Sequence, residues 1–211
     1  MLELYLIRHG QTDFSKENRF CGSIDPPLND VGMRMAECFG VAYADRNWNA
    51  IYSSPSLRAR QTASALAARI GKQPILDEGL REVSYGEWEG LRHEDAEERF
   101  PKAYAYWSAD TASRSTPSGE TAFQVAARAA LVLERIKRDC PEGRILVVSH
   151  KATIRILACA LLGMDVRLFR DRIAQPVATL TRFELTHKGA LLTRLGDDNH
   201  LPMDLRHLEG T

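Results

Sequence analysis

Two histidines stand at equivalent places in this chain. His9 follows the apolar run 4–7 and Arg8 and precedes Gly10-Gln11-Thr12; His150 follows the apolar run 145–148 and Ser149 and precedes Lys151. Each run is too short for a lone helix and reads as a buried parallel strand ending in a tight turn. Ligands bind at the carboxyl ends of strands in open α/β sheets, so both imidazoles are expected at one site. Arg8 is a permanent, fork-shaped anion binder, and a neutral imidazole near pH 7 is a nucleophile. Together they point to chemistry on an anion, most simply a phosphoryl group. Arg58, in the first turns of a helix after a second strand, is placed to face the same point, whereas Arg60 and Arg69 read as solvated helix arginines. Glu82, in the glycine-punctuated, aromatic and acidic loop 80–90, is the candidate acid; Glu87 and Glu89 read as solvated.

The elements that must position these groups follow from periodicity and punctuation. Residues 13–27 form a polar loop, long for a βα connection, as binding loops often are. A helix with an apolar face begins at Asn29 or Asp30 as its cap and fades near Asp45. The strand 50–53 leads to Ser54-Pro55, which reads as an N-cap followed by proline at the first helical position; that helix runs to Ile70 and stops at Gly71. Residues 73–76 are an edge strand because of Pro74. Residues 93–107 are helical with a break at Pro101, and 110–119 are a connector. Residues 91–119 together make an excursion over the site whose aromatics (Phe100, Tyr104, Tyr106, Trp107) pack their own helices. An amphipathic helix spans 120–138, and another spans 152–162 up to Gly163. Alternating segments 178–185 and 190–195 flank His187-Lys188-Gly189 as a closing hairpin at a sheet edge, an edge that would permit a homodimer. The tail after Gly196 is polar and expected to be loosely held. The expected fold is thus one domain over 1–211: a three-layer α/β/α sandwich with a mostly parallel sheet, an antiparallel edge hairpin and a small helical excursion.

Composition narrows the function classes. Lys and Arg number 28, as do Asp and Glu, so nothing in the net charge favours nucleic acid or an anionic membrane. No apolar run reaches membrane-spanning length, and the chain enters a strand at once with no signal peptide. The four cysteines (Cys21, Cys38, Cys140, Cys159) are scattered and read as reduced thiols of a cytoplasmic protein. His187, His200 and His207 lack metal-ligand spacing, so no metal and no cofactor is expected.

Arg8-His9-Gly10-Gln11-Thr12, Ser56-Leu57-Arg58-Ala59-Arg60-Gln61-Thr62, Leu80-Arg81-Glu82 with Gly86-Glu87-Trp88-Glu89-Gly90, and Val147-Val148-Ser149-His150 occur in this order. So arranged, they resemble the histidine phosphatase superfamily, with its phosphoglycerate-mutase-like fold, from Leu4 to about Leu185. The resemblance implies that His9 is the nucleophile, that Arg8, Arg58 and His150 hold phosphoryl oxygens, and that Glu82 protonates the leaving oxygen and then activates water. It also assigns substrate contacts to Gln11, Thr12, Asn18, Arg19, Cys21 and Gly22. The physical reading agrees, because phosphoryl transfer needs positive charge around three equatorial oxygens and a neutral nucleophile whose other ring nitrogen is fixed by a backbone carbonyl. One departure stands out: family members commonly carry glycine after the second histidine, and this chain has Lys151. Lys151 is expected to point to solvent at its helix start; the alternative is that it binds a second anionic group on the substrate. The reading is a metal-independent phosphomonoesterase acting on a small phosphorylated metabolite. The alternatives are a cofactor-dependent phosphoglycerate mutase and a non-catalytic phospho-ligand-binding module.

Overall fold

The computed structural model describes residues 1–208. Its elements run β1 (Leu2–Arg8), α1 (Asp13–Lys16), α2 (Asp30–Tyr43), β2 (Ala50–Ser53), α3 (Leu57–Ile70), β3 (Ile75–Leu76), α4 (His93–Arg99), α5 (Pro101–Ala109), α6 (Ala122–Asp139), β4 (Gly143–Ser149), α7 (Lys151–Leu162), α8 (Phe169–Arg172), β5 (Leu180–Thr186) and β6 (Gly189–Asp197). β1 and β4 are apolar at almost every position, so both faces of each must be covered. Successive side chains alternate between faces. Leu4, Leu6, Ile145 and Val147 pack on one side against Val125 and Val132 of α6 and Ile154 of α7. Tyr5, Ile7, Leu146 and Val148 pack on the other against Phe39 of α2 and Ala63 and Leu66 of α3. The result is a three-layer α/β/α sandwich.

The sheet has six strands in the order β3-β2-β4-β1-β5-β6. β3, β2, β4 and β1 are parallel to their neighbours, while β5 lies antiparallel to β1 and pairs with β6 as the edge hairpin. The register between β1 and β4 pairs Arg8 with Ser149. His9 and His150 therefore leave the sheet side by side, with ring centroids 5.1 Å apart. Gly10 is required where β1 turns toward α2: a Cβ there would lie 2.5 Å from the Gly32 carbonyl oxygen.

Several local expectations are corrected. The loop 13–27 contains α1, because Thr12 and Ser15 cap each other's backbone N–H groups. The N-cap of α3 is Ser56, not Ser54; Ser54 is buried, and its hydroxyl accepts from the Ser56 N–H at 3.3 Å and lies 2.8 Å from His150 Nε2, so it joins the start of α3 to the end of β4. α6 starts at Ala122, after Thr121 and Gln124 form a capping box. The segment after Gly196 is held, since Leu201 and Leu205 are buried against Met35, Val177 and Ala178; Leu208 also packs there, and residues 209–211 of the tail lie outside the described residues. Among the described residues no helix is long and apolar enough to cross a membrane.

Candidate active site

The site is built at the carboxyl ends of β1 and β4. Arg8 is buried, and its Nη1 donates to the Gln175 carbonyl at 2.9 Å. That carbonyl is fixed in turn, because the Gln175 amide donates to Thr179 and its Oε1 accepts from Thr181. Burial lowers Arg8 to about 10, so the guanidinium stays charged at neutral pH. His9 is 6% exposed. Its Nδ1 lies 2.7 Å from the Gly10 carbonyl. A carbonyl only accepts, so Nδ1 carries the proton and Nε2 keeps its lone pair. Burial first, then the charges of Arg58 and Arg8, hold His9 well below its ordinary 6.5. It is thus a neutral imidazole with one fixed tautomer, the state a nucleophile needs.

Arg58 enters from the first turn of α3 and is 1% exposed. Its guanidinium donates to the carbonyls of Ile24 (2.9 Å), Gly22 (3.2 Å) and Cys21 (3.3 Å), with Asp25 3.6 Å away. The loop carrying those carbonyls is clamped by Glu89, whose carboxylate accepts from the N–H groups of Gly22, Ser23, Ile24 and Tyr85. The expectation that Glu89 is solvated is therefore corrected: four converging backbone donors draw the carboxylate inward. Glu87 is exposed, as are Arg60 and Arg69.

Glu82 is 8% exposed. Its Oε1 accepts from the N–H of Val83 (3.0 Å) and of Thr153 (3.2 Å), and its Oε2 from that of Ala152 (3.1 Å). Two of these donors are the open N–H groups in the first turn of α7, a natural seat for a carboxylate. The backbone of the segment is fixed by Arg128 of α6, which donates to the carbonyls of Gly79, Arg81 and Glu82.

Arg8, His9, Thr12, Arg58, Glu82 and Lys151 line one cavity of about 130 Å³ together with Asn18, Arg19 and Cys21 of the loop. That is space for on the order of ten waters. Asn18 holds a positive φ of 52°, a conformation asparagine tolerates. Arg19 is braced by Glu17 at 2.6 Å and by the Gly90 carbonyl at 2.8 Å. Burial pushes the Cys21 thiol up to about 11.

Three of the expected site residues lie outside the wall. Gln11 is buried, with its side-chain oxygen accepting from Asn29 at 3.1 Å. Gly22 contributes its carbonyl to Arg58. His150 is wholly buried behind His9, and its own burial, with the charges of Arg58 and His9, holds it well below 6.5. Three buried nitrogens at this point have no partner: Arg8 Nε, Arg58 Nε and His150 Nδ1.

Lys151 corrects the expectation of a solvated side chain. It is half-buried in the cavity wall, and burial, with Arg8 and Arg155 beside it, lowers it to about 8. Two further wall residues, Arg155 and Arg170, were not signalled by any motif. For Arg155 the one cue is its place four residues after Lys151, on the same face of a helix; Arg170 has none. From the excursion, His93, Trp107 and Thr111 reach the wall. Phe100 and Tyr104 pack instead on the cluster of Phe20, Trp88 and Trp107, while Tyr106 is exposed.

The chain is 28% identical over 169 residues to phosphoserine phosphatase 1 of Hydrogenobacter thermophilus, covering 80% of each. It is 34% identical over 170 residues to the glucosyl-3-phosphoglycerate phosphatase of Mycolicibacterium vanbaalenii, covering 77% of this chain and 75% of that one. The structure of a mycobacterial glucosyl-3-phosphoglycerate phosphatase complexed with VO3 superposes with a TM-score of 0.84 at 28% identity, over 93% of this chain and 99% of that one. The sequence model of one family, the histidine phosphatase superfamily (branch 1), matches residues 4–198, which include His9, Arg58, Glu82 and His150, and the chain belongs to that family.

Proposed function

We propose that this chain is a metal-independent phosphomonoesterase that hydrolyses a small phosphorylated metabolite through a phosphohistidine on His9. One observation supports the reading most: the His9 tautomer, with Nδ1 committed to the Gly10 carbonyl and Nε2 left for attack, beside two buried arginines in the same wall. In the first step His9 Nε2 attacks phosphorus. The N–P bond forms, the ester P–O bond breaks, and Glu82, carrying the proton it takes from water in the second step of each cycle, gives that proton to the departing alkoxide. In the second step Glu82 takes a proton from water, the water oxygen attacks phosphorus, and the P–N bond breaks to release phosphate and neutral His9. Charge building on the equatorial oxygens is met by Arg8 and Arg58, whose unpartnered Nε–H groups are spare donors, in a buried site where such contacts weigh more than in water. His150, neutral and with Nε2 facing the Ser54 hydroxyl at 2.8 Å, supplies a further donor as its Nδ1–H tautomer, since Nδ1 has no other partner.

The reading is tested by following p-nitrophenyl phosphate and 3-phosphoglycerate with the purified chain. Release of inorganic phosphate from either is the expected result. Conversion of 3-phosphoglycerate into its 2-phospho isomer with no phosphate release would make the chain a mutase, and no turnover of any phosphomonoester would make it a binding module.

A further inference from the structure

The cavity carries more positive charge than one phosphoryl group needs. Arg19 and Glu120 in its wall are each matched, by Glu17 and Arg128 respectively, and Arg58 has Asp25. That leaves Arg8, Lys151, Arg155 and Arg170 facing Glu82 alone. Among the described residues none of Lys151, Arg155 and Arg170 forms an ion pair. Lys151 and Arg155 stand one turn apart on α7, and Arg170 reaches the same wall from α8. The guanidinium of Arg155 is oriented by a donated bond to the Arg170 carbonyl and lies over Phe169, and its buried Nε has no partner. Arg170 is stacked over Trp107, 4.7 Å from the ring centroid. Glu82 and then Asp171 are the acids that act on Arg155, and the exposed Asp171 lines a second, more open cleft together with the same three cations. Both arginines thus lie over aromatic rings; Arg155 keeps a buried Nε–H without a partner, and Arg170 is exposed.

We infer that Lys151, Arg155 and Arg170 form a second anion subsite, and that the substrate is a phosphomonoester whose alcohol part carries a carboxylate or a second phosphate. The inference rests on the phosphatase reading only in placing the first phosphoryl group at His9. Burial, with Arg8 and Arg155 beside it, lowers the proton affinity of Lys151, and a second anion offsets that repulsion when it arrives.

Binding, rather than turnover, tests it. Calorimetry on the full chain carrying His9→Ala, so that the ligands are not turned over, compares 3-phosphoglycerate with glycerol 3-phosphate, which has an alcohol in place of the carboxylate, and fructose 1,6-bisphosphate with fructose 6-phosphate. One charge-assisted hydrogen bond contributes about tenfold or more in affinity. The doubly anionic member of at least one pair is expected to bind about tenfold tighter, and the pair that discriminates identifies the second anion. Arg155→Met and Arg170→Ala are each expected to bring that ratio toward one. The ratio is internal to each variant, so a smaller folded fraction does not alter it. Ratios near one in both pairs, or a high ratio that survives both substitutions, would overturn the subsite. Hydrolysis of p-nitrophenyl phosphate by the unsubstituted chain reports on the phosphatase reading separately.

Discussion

Glu82→Gln removes a proton donor while keeping the shape of the side chain, and its consequences follow from the donors around the carboxylate. Oε1 accepts from Val83 and Thr153 N–H and Oε2 from Ala152 N–H. Glutamine has a single acceptor oxygen. Its best fit keeps that oxygen at Oε1 and turns the NH2 group toward the Ala152 N–H, donor against donor. One buried donor losing its partner costs about 1–3 kcal/mol. In a chain of this length that is a fall in Tm of roughly 2–12 °C, measurable by calorimetry and small enough for the variant to remain folded. The kinetic effect is larger. General acid–base catalysis contributes about a hundred- to ten-thousand-fold, so phosphorylation of His9 by an alkyl phosphate is expected to slow by roughly that factor. p-Nitrophenolate leaves with little protonation, so its burst in rapid-mixing experiments is expected to slow much less. Water attack still needs the carboxylate, so after a burst equal to the enzyme concentration the steady state is slow. Equal, small losses on both substrates with no burst would refute the acid role and leave Glu82 a seat for the start of α7.

Ser54→Ala removes the hydroxyl 2.8 Å from His150 Nε2 and leaves a buried imidazole without its fixing partner; kcat/KM is expected to fall by about fivefold or more, and an unchanged value would mean that Ser54 does not set the orientation of His150. In the free enzyme burial, Arg58 and Arg8 lower His9, so NMR titration is expected to find its ring neutral as pH falls from 7 to 6, since a depressed value moves protonation to lower pH; a midpoint at or above 6.5 contradicts the electrostatics. Excess EDTA is expected to leave kcat unchanged because side-chain cations meet the phosphoryl charge; loss of activity restored by a divalent metal would contradict the mechanism.

The parts of the fold that were legible in the sequence are those governed by local pattern. β1 and β4 announce themselves because strands buried on both faces must be apolar at consecutive positions, and their shared ending in histidine follows from the parallel register that aligns Arg8 with Ser149. Gly71 and Gly163 mark helix ends because both adopt positive φ, 65° and 66°. What local pattern leaves open is the direction of a long side chain and the identity of a distant partner. Lys151 at a helix start satisfies the sequence equally well pointing out or in, and only the packing of α7 beside Arg8 decides it. Ser54 reads as a cap until β4 brings His150, 96 residues later, against its hydroxyl. Glu89 reads as solvated until the loop 22–24 folds over it. Arg170 sits on the short helix α8, and its place in the cavity depends on how the chain between α7 and β5 is folded. The tail is polar overall, yet Leu201, Leu205 and Leu208 seat it against Met35, Val177 and Ala178.

The central claim is a covalent bond between His9 and phosphorus, and rapid acid-free quenching of the enzyme with 32P-labelled substrate tests it most directly. The account predicts one labelled peptide containing His9, stable in base and lost in acid as a phosphoramidate is, and no label and no turnover in His9→Ala. Label on another residue, or an active His9→Ala enzyme, would contradict it.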